Sequence, residues 1–505
     1  MKKYLPFLLI LLLLFVSCEK EQKRALNIAI SQEPVTLDTM VNTTLTGRII
    51  ANGNIYEKLL TLDGEGSIRP ELALSYTLEE GGTVLRFVLR QDVVFHDGTP
   101  LTAEDAAASM NRWLRVYAQA QSAAKGNQFQ VTGKYSLELR SDSSLALLVY
   151  MIAESPQSAI IMPKRLAETE DTLVAEVVGT GPYILKEWRS GELIELEANS
   201  KYVAASKEQN GKWGEKKATL ETLRYYFVSD SVTRLLGLAS GEYDFINDVM
   251  SDDRAGIVKN DKLRILEGEE SGLIALVFNK KEGPTTDVEV RKAISYVLDS
   301  LSLMRSCYGD YGYSIHSDYM EKEQLYWKTT AEDPYASYEP EKAKEILRAS
   351  SYNGEPIRIL TSNLSNLDRI AEDAASKMEA IGMKTELIVC DWATMTEKRK
   401  DPSSWDIFVS AFSQVTLPTM KSFLNPDYPG WIDRGSLGYQ MVEEMSVSKS
   451  LEEARDRWQE AQKILYEEIP AYIPGHYSTA YASSSKLEGV ILQNGFFFWN
   501  ADLKP

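Results

Sequence analysis

Apolar residues recur along this chain in two periods, and the periods mark out its elements. Leu26 to Ile30 reads as a short strand. Leu78 to Arg90 predicts a hairpin turning at Glu80-Gly81-Gly82, with Leu85, Phe87 and Leu89 on one face. Thr102 followed by Asp105 is a capping box, opening a helix whose Ala106, Met110, Trp113 and Tyr117 share a face. The nine apolar residues from Leu145 to Ala153 predict a buried strand, and the polar stretch Asn199 to Gly214 a loop. Leu273 to Phe278 is a further buried strand.

Helical spacing dominates the second half. Asp287 stands before a helix lined by Val290, Ala293, Ile294, Val297 and Leu298, and Pro340 starts another through Ala343, Ile346 and Leu347. A third carries Leu367, Ile370, Ala374, Met378 and Ile381, stops at Gly382 and gives way to a strand, Thr385 to Val389. That succession predicts an αβ unit on a mainly parallel sheet. A last long helix, lined by Leu451, Ala454, Trp458, Ala461 and Leu465, ends before Pro470. Irregular alternation of strands and helices without an internal repeat predicts an α/β or α+β protein and excludes a solenoid.

One segment stands apart. Lys2 and Lys3 precede twelve apolar residues, Leu5 to Val16, and then Ser17-Cys18. Twelve helical residues rise about 18 Å, short of a hydrocarbon core of roughly 30 Å. A charged start, a short apolar run and a small residue read as an export signal. The cysteine after it resembles the lipidation site of a bacterial lipoprotein, although Phe15 stands where Leu is usual. Residues 1–17 are thus expected to be a signal peptide, Cys18 the lipidated first residue, and 18–25 a polar tether. The chain would be extracytoplasmic and held to a membrane by lipid, in the periplasmic space of a Gram-negative cell.

The 505 residues carry 73 acidic and 55 basic side chains, a net charge of −18, which argues against nucleic-acid binding. Beyond the signal, Cys307 and Cys390 are expected as separate buried thiols rather than a disulfide. The constellations that could carry catalysis or metal are weak. His96-Asp97 lies on a turn, with no Gly-x-Ser-x-Gly elbow in the chain. His316 and His476 lie 160 residues apart without cysteine or carboxylate at ligand spacing, so no metal site is expected there. Gly179-Thr180-Gly181-Pro182 lacks the Lys of a phosphate loop. No catalytic residue, metal or cofactor is expected.

Several phrases together resemble the extracellular solute-binding proteins of family 5, which contain the peptide-binding components of ABC importers. They are Ser31-Gln32-Glu33-Pro34, Tyr56-Glu57, Ile68-Arg69-Pro70-Glu71-Leu72-Ala73, Val94 to Asp105, Gly179-Thr180-Gly181-Pro182-Tyr183, Gly241-Glu242-Tyr243-Asp244 and Val290 to Tyr296. They run in order over about residues 26–505. The resemblance implies a two-lobe, Venus-flytrap binding protein of class II (cluster C) type, with an extra inserted domain. Its expected division is a discontinuous lobe I (26–47, 170–267 and 471–505), an extra domain (48–169) and lobe II (268–470).

It also implies a monomer that delivers a small solute to permease subunits, with peptide as the leading ligand. A metal chelate, a haem-like compound or an oligosaccharide is the alternative, and a surface hydrolase a remoter one. Peptide-binding members usually place an Asp near the equivalent of Pro418 for the ligand's ammonium. Ala411 to Leu424 here holds no acid, only Lys421. Strand ends flanking the expected cleft nominate Asn279, Trp392, Phe412, Ser413 and Gln414 as ligand-binding residues, with Tyr313 beside them.

Overall fold

The computed structural model describes residues 24–41, 44–169, 173–250, 253–328 and 331–504. The signal peptide and Cys18 lie outside the described residues. The chain is α/β: eleven strands join in one sheet that runs through both lobes. In chain order they are β1 (Ala25–Ile30), β2 (Tyr183–Arg189), β3 (Leu193–Ala198), β4 (Thr222–Phe227), β5 (Phe245–Ile246), β6 (Leu263–Phe278), β7 (Tyr313–Ser314), β8 (Pro356–Ser362), β9 (Lys384–Cys390), β10 (Ile407–Ser413) and β11 (Ala471–Ser484). The spatial order is β9-β8-β10-β6-β11-β5-β1-β4-β3-β2, with β7 added to β11.

Two strands are much longer than the rest. β6 has 16 residues and β11 has 14, and they pair antiparallel from Leu263–Ser484 to Val277–Ala471. One end of the pair lies beside β5 and the other beside β10. They are therefore the strands that cross between the lobes. Their ladder slips register between Glu267 and Glu270 and again before Gly272. Such bulges break the flatness of a sheet and let it bend locally. Gly272 is required for space: a Cβ there would lie 2.1 Å from the Phe412 carbonyl oxygen.

The sheet is mixed, which corrects the mainly parallel expectation. β8 runs parallel to β9 and β10, and β1 parallel to β4 and β5. The crossing pair is antiparallel to its neighbours because the chain traverses the hinge in both directions. Helices Val288–Val297, Ser300–Tyr308, Pro340–Ala349 and Leu367–Ala380 cover one face of the β6/β8/β10 half and share a core with it. Asp287 caps the first of these by accepting from the Glu289 N–H, and Pro340 opens the third, as their sequence positions predict.

A separate four-stranded antiparallel sheet is built from Ala73–Glu79, Val84–Leu89, Ser136–Arg140 and Gln130–Gly133. Helix Ala103–Val116 packs on it, with the Thr102–Asp105 capping box formed. The run expected as a buried strand is instead helix Ala146–Ala153, in which every residue is buried. Its apolar residues surround the helix completely, so no period separates the two conformations, and Ser144 helps to start the helix by accepting from the Ala146 N–H.

The family-like phrases lock to one another. His96 bonds Gly181 O at 3.1 Å through Nε2 and accepts from the Gly179 N–H at Nδ1. Thr180 Oγ1 donates to Glu57 at 2.9 Å. A Cβ at Gly179 or Gly181 would meet backbone oxygens of Ile55 and Asn54 at 1.9 and 2.2 Å. These residues serve the fold, so their motif character is structural. Cys307 and Cys390 are free thiols, the first buried as expected and the second only half-buried at the end of the edge strand β9.

Candidate functional site

A cleft of about 420 Å³ opens where the crossing strands bulge. Its floor is Glu269, Glu270 and Ser271 of β6 with Tyr481 of β11. One wall is Ser413 to Thr416, the chain leaving β10, with Gln324 behind it. The opposite wall is Leu45 and Arg48 of helix Leu45–Ala51, Glu154 to Pro156 and Asn494-Gly495. The walls thus come from opposite sides of the crossing pair. The ladder from Gly272–Ser413 to Phe278–Ile407 holds β10 against β6, and Gln414 N donates to Ser271 O at 2.9 Å, so that wall is fixed to the floor. Gln324 Nε2 donates to Val415 O at 2.7 Å and braces it from behind.

Charges in the cleft differ sharply in how they are compensated. Glu154 is half-buried, and desolvation opposes its ionisation, but Lys212 and Lys58 overcome this and hold its carboxyl down at about 2. Lys212 lies 2.6 Å from it. Glu269 has no such partner: among the described residues it forms no ion pair, only a bond from the Asn494 N–H. Burial pushes its carboxyl up to about 7. On the opposite wall Arg48 Nε is buried without a hydrogen bond, and burial lowers the guanidinium's pKa although Glu154 opposes the shift. Among the described residues, neither the Glu269 carboxyl nor the Arg48 guanidinium has an ion-pair partner in the cleft.

Below the floor, Glu270 joins His316 and His476. Its Oε1 lies 2.9 Å from His316 Nε2, and its Oε2 lies 3.4 Å from His476 Nδ1. The two imidazoles stack with centroids 4.0 Å apart. Burial disfavours charge on Glu270, but His316, His476 and Ser314 together hold its carboxyl well below the usual range. The 160 residues separating the two histidines in sequence vanish here because β7 and the loop after it lie along β11.

Of the residues nominated from sequence, Ser413 and Gln414 line the cleft. Phe412 turns the other way, into a cluster with Phe423 at 5.0 Å and Phe408 and Tyr428 at 6.3 Å. Asn279 is wholly buried, its amide donating to Pro402 O and Trp405 O at 2.8 Å. Trp392 is 42% exposed at the start of helix Trp392–Lys398, beyond the edge strand β9. Tyr313 pairs with Tyr477 on β11 outside the cleft lining. Lys421, the one charge in Ala411 to Leu424, is buried against Glu321 at 3.1 Å. Arg48, Glu154, Glu269 and Asn494 carried no motif. The acidic run Glu267-Gly268-Glu269-Glu270, which interrupts an otherwise apolar strand, is the one signal that could have marked the floor.

The family model "Bacterial extracellular solute-binding proteins, family 5 Middle" matches residues 67–432. A probable peptide ABC transporter periplasmic-binding protein of Sinorhizobium fredii is 23% identical over 480 residues, 88% of this chain and 87% of that one. The glutathione-binding protein of Salmonella paratyphi A is 24% identical over 503 residues, 94% of each. The solved structure of HbpA2 from Haemophilus parasuis superposes with a TM-score of 0.81 at 19% identity, covering 95% of this chain and 100% of that one. None of the described helices is long and apolar enough to cross a membrane.

Proposed function

Because the chain belongs to the bacterial extracellular solute-binding proteins of family 5, which bind solutes for ABC importers and are not enzymes, we propose that its cleft takes a short peptide with free ends. The ligand's ammonium lies against Glu269 and its carboxylate against Arg48. The peptide backbone bonds to the chain from Ser413 to Thr416, as a strand added beside an existing one.

The observation that carries this reading is the pair of uncompensated charges in one cleft. Burying a charge is costly unless an opposite charge meets it. A zwitterionic ligand compensates both at once, whereas a neutral sugar compensates neither. Glu269 also supplies the acid that Ala411 to Leu424 lacks, from the floor instead of the wall. Two relatives named for a peptide and for glutathione support the class. Exported through residues 1–17 and lipidated at Cys18, the protein would stay near its permease, which raises its effective concentration there.

Calorimetry with di- and tripeptides tests this. N-acetylation of a bound peptide is expected to weaken it at least tenfold, about 1.4 kcal/mol, and Glu269→Gln to remove most of that discrimination. Equal affinity for free and acetylated peptides would end the proposal.

A further inference from the structure

Glu270 on the cleft floor, with His316 and His476 behind it, has no part in the peptide reading. We propose that these three side chains bind one divalent transition-metal ion of the zinc, nickel or cobalt class at the hinge. Three potential ligand atoms, one from each residue, lie within 4.8 Å of one another. Two imidazole nitrogens and a carboxylate form a borderline donor set, suited to these ions rather than to calcium or magnesium.

The outer contacts match those of metal-bound histidines. His476 Nε2 lies 2.9 Å from the Asp318 carbonyl oxygen, so that nitrogen carries the proton and Nδ1 keeps its lone pair. His316 Nδ1 lies 3.4 Å from the Asp318 carboxylate, leaving Nε2 toward Glu270. Asp318 thus fixes the His476 ring from outside, its carboxylate lies beside His316 Nδ1 without a hydrogen bond, and Glu270 spans both rings from inside.

The second, independent observation is an unsatisfied contact. His476 is wholly buried, and its Nδ1 has no hydrogen bond although it faces Glu270 Oε2. Glu270 Oε2 accepts from the Lys322 N–H at 2.8 Å, so the unmet group is His476 Nδ1, a buried lone pair aimed at the carboxylate. A metal ion, displacing the proton that His316 Nε2 shares with Glu270, would meet the carboxylate and one nitrogen of each ring together. His316, 22% exposed at its side chain, is the ring that would turn to complete coordination. Lys322, 3.3 Å from Glu270 and half exposed, can withdraw its ammonium to solvent as the ion enters.

The ligands come from β6, β11 and the loop after β7, so the ion would tie the two crossing strands together at their bulge. Tag-free protein, stripped with chelator and free of peptide, is titrated with Zn²⁺ by calorimetry and with Co²⁺ by visible absorption. One ion per chain is expected, with visible bands of a nitrogen-ligated cobalt site and a raised melting temperature. His316→Ala, at a part-exposed position, should weaken binding at least about tenfold; Glu270→Gln should do the same, and Arg48→Ala should leave metal binding unchanged. No saturable binding by the unaltered protein would overturn the proposal, as would undiminished affinity in His316→Ala and Glu270→Gln. Loss of metal in Arg48→Ala would overturn it too, by moving the ion into the cleft. None of these outcomes depends on whether peptides bind.

Discussion

A carboxylate removed from water without a cation lowers stability, and Glu269 on the cleft floor carries that cost. Its carboxyl is pushed from 4.5 to about 7 by burial. The folded protein therefore holds this proton more tightly than the unfolded chain, and the group's contribution to stability falls as pH rises from about 4.5 to about 7. Glu269→Gln removes the charge and keeps an acceptor for Asn494. Scanning calorimetry should show the variant melting higher than the parent at pH 8, with the gain fading toward pH 4.5. A lower melting temperature at pH 8 would show that Glu269 is compensated in a way these contacts do not reveal. The gain in stability at the expense of ligand affinity is the trade expected of a binding residue.

Among the elements, β6 carries the most constraint. From Leu273 to Phe278 it is wholly apolar and pairs on both sides, while its middle is acidic and bulged. Gly272 marks the change between these regimes. Gly272→Ala would force a methyl group against the Phe412 carbonyl and the Tyr477 ring, and backbone cannot yield as a flexible side chain does. Overpacking of this kind costs about 1–3 kcal/mol, which urea denaturation would detect; an unchanged midpoint would mean that β6 and β10 separate more easily than their ladder implies. Helix Ala146–Ala153 teaches the opposite lesson. A fully apolar run has no amphipathic period, so its conformation was decided by the surroundings that bury every side of it.

At the scale of the molecule, the cleft's two walls stand on opposite sides of one antiparallel pair of strands. A ligand touching Arg48 and the chain from Ser413 to Thr416 gains both sets of contacts only when the walls approach, and so draws the lobes together. A micromolar ligand contributes about 8 kcal/mol, ample for an equilibrium between forms a few kcal/mol apart. Small-angle X-ray scattering should show the radius of gyration falling when a bound peptide saturates the protein. Saturation with an unchanged radius would rule out closure as the response to ligand.

Local patterns in the sequence were enough to place most of the helices and their caps, the hairpin and the apolar half of β6, because those depend on residues a few positions apart. The ordered phrases were enough to imply the family and its two lobes, although Gly179, Gly181 and His96 turn out to serve backbone approach and bonding within the fold. The cleft was legible only in Ser413 and Gln414, which follow a strand end. Arg48, Glu269 and Asn494 meet across hundreds of residues, and His316 reaches His476 only through the pairing of β7 with β11. Which charges stay uncompensated depends on those long-range approaches and on burial, and both are properties of the folded chain.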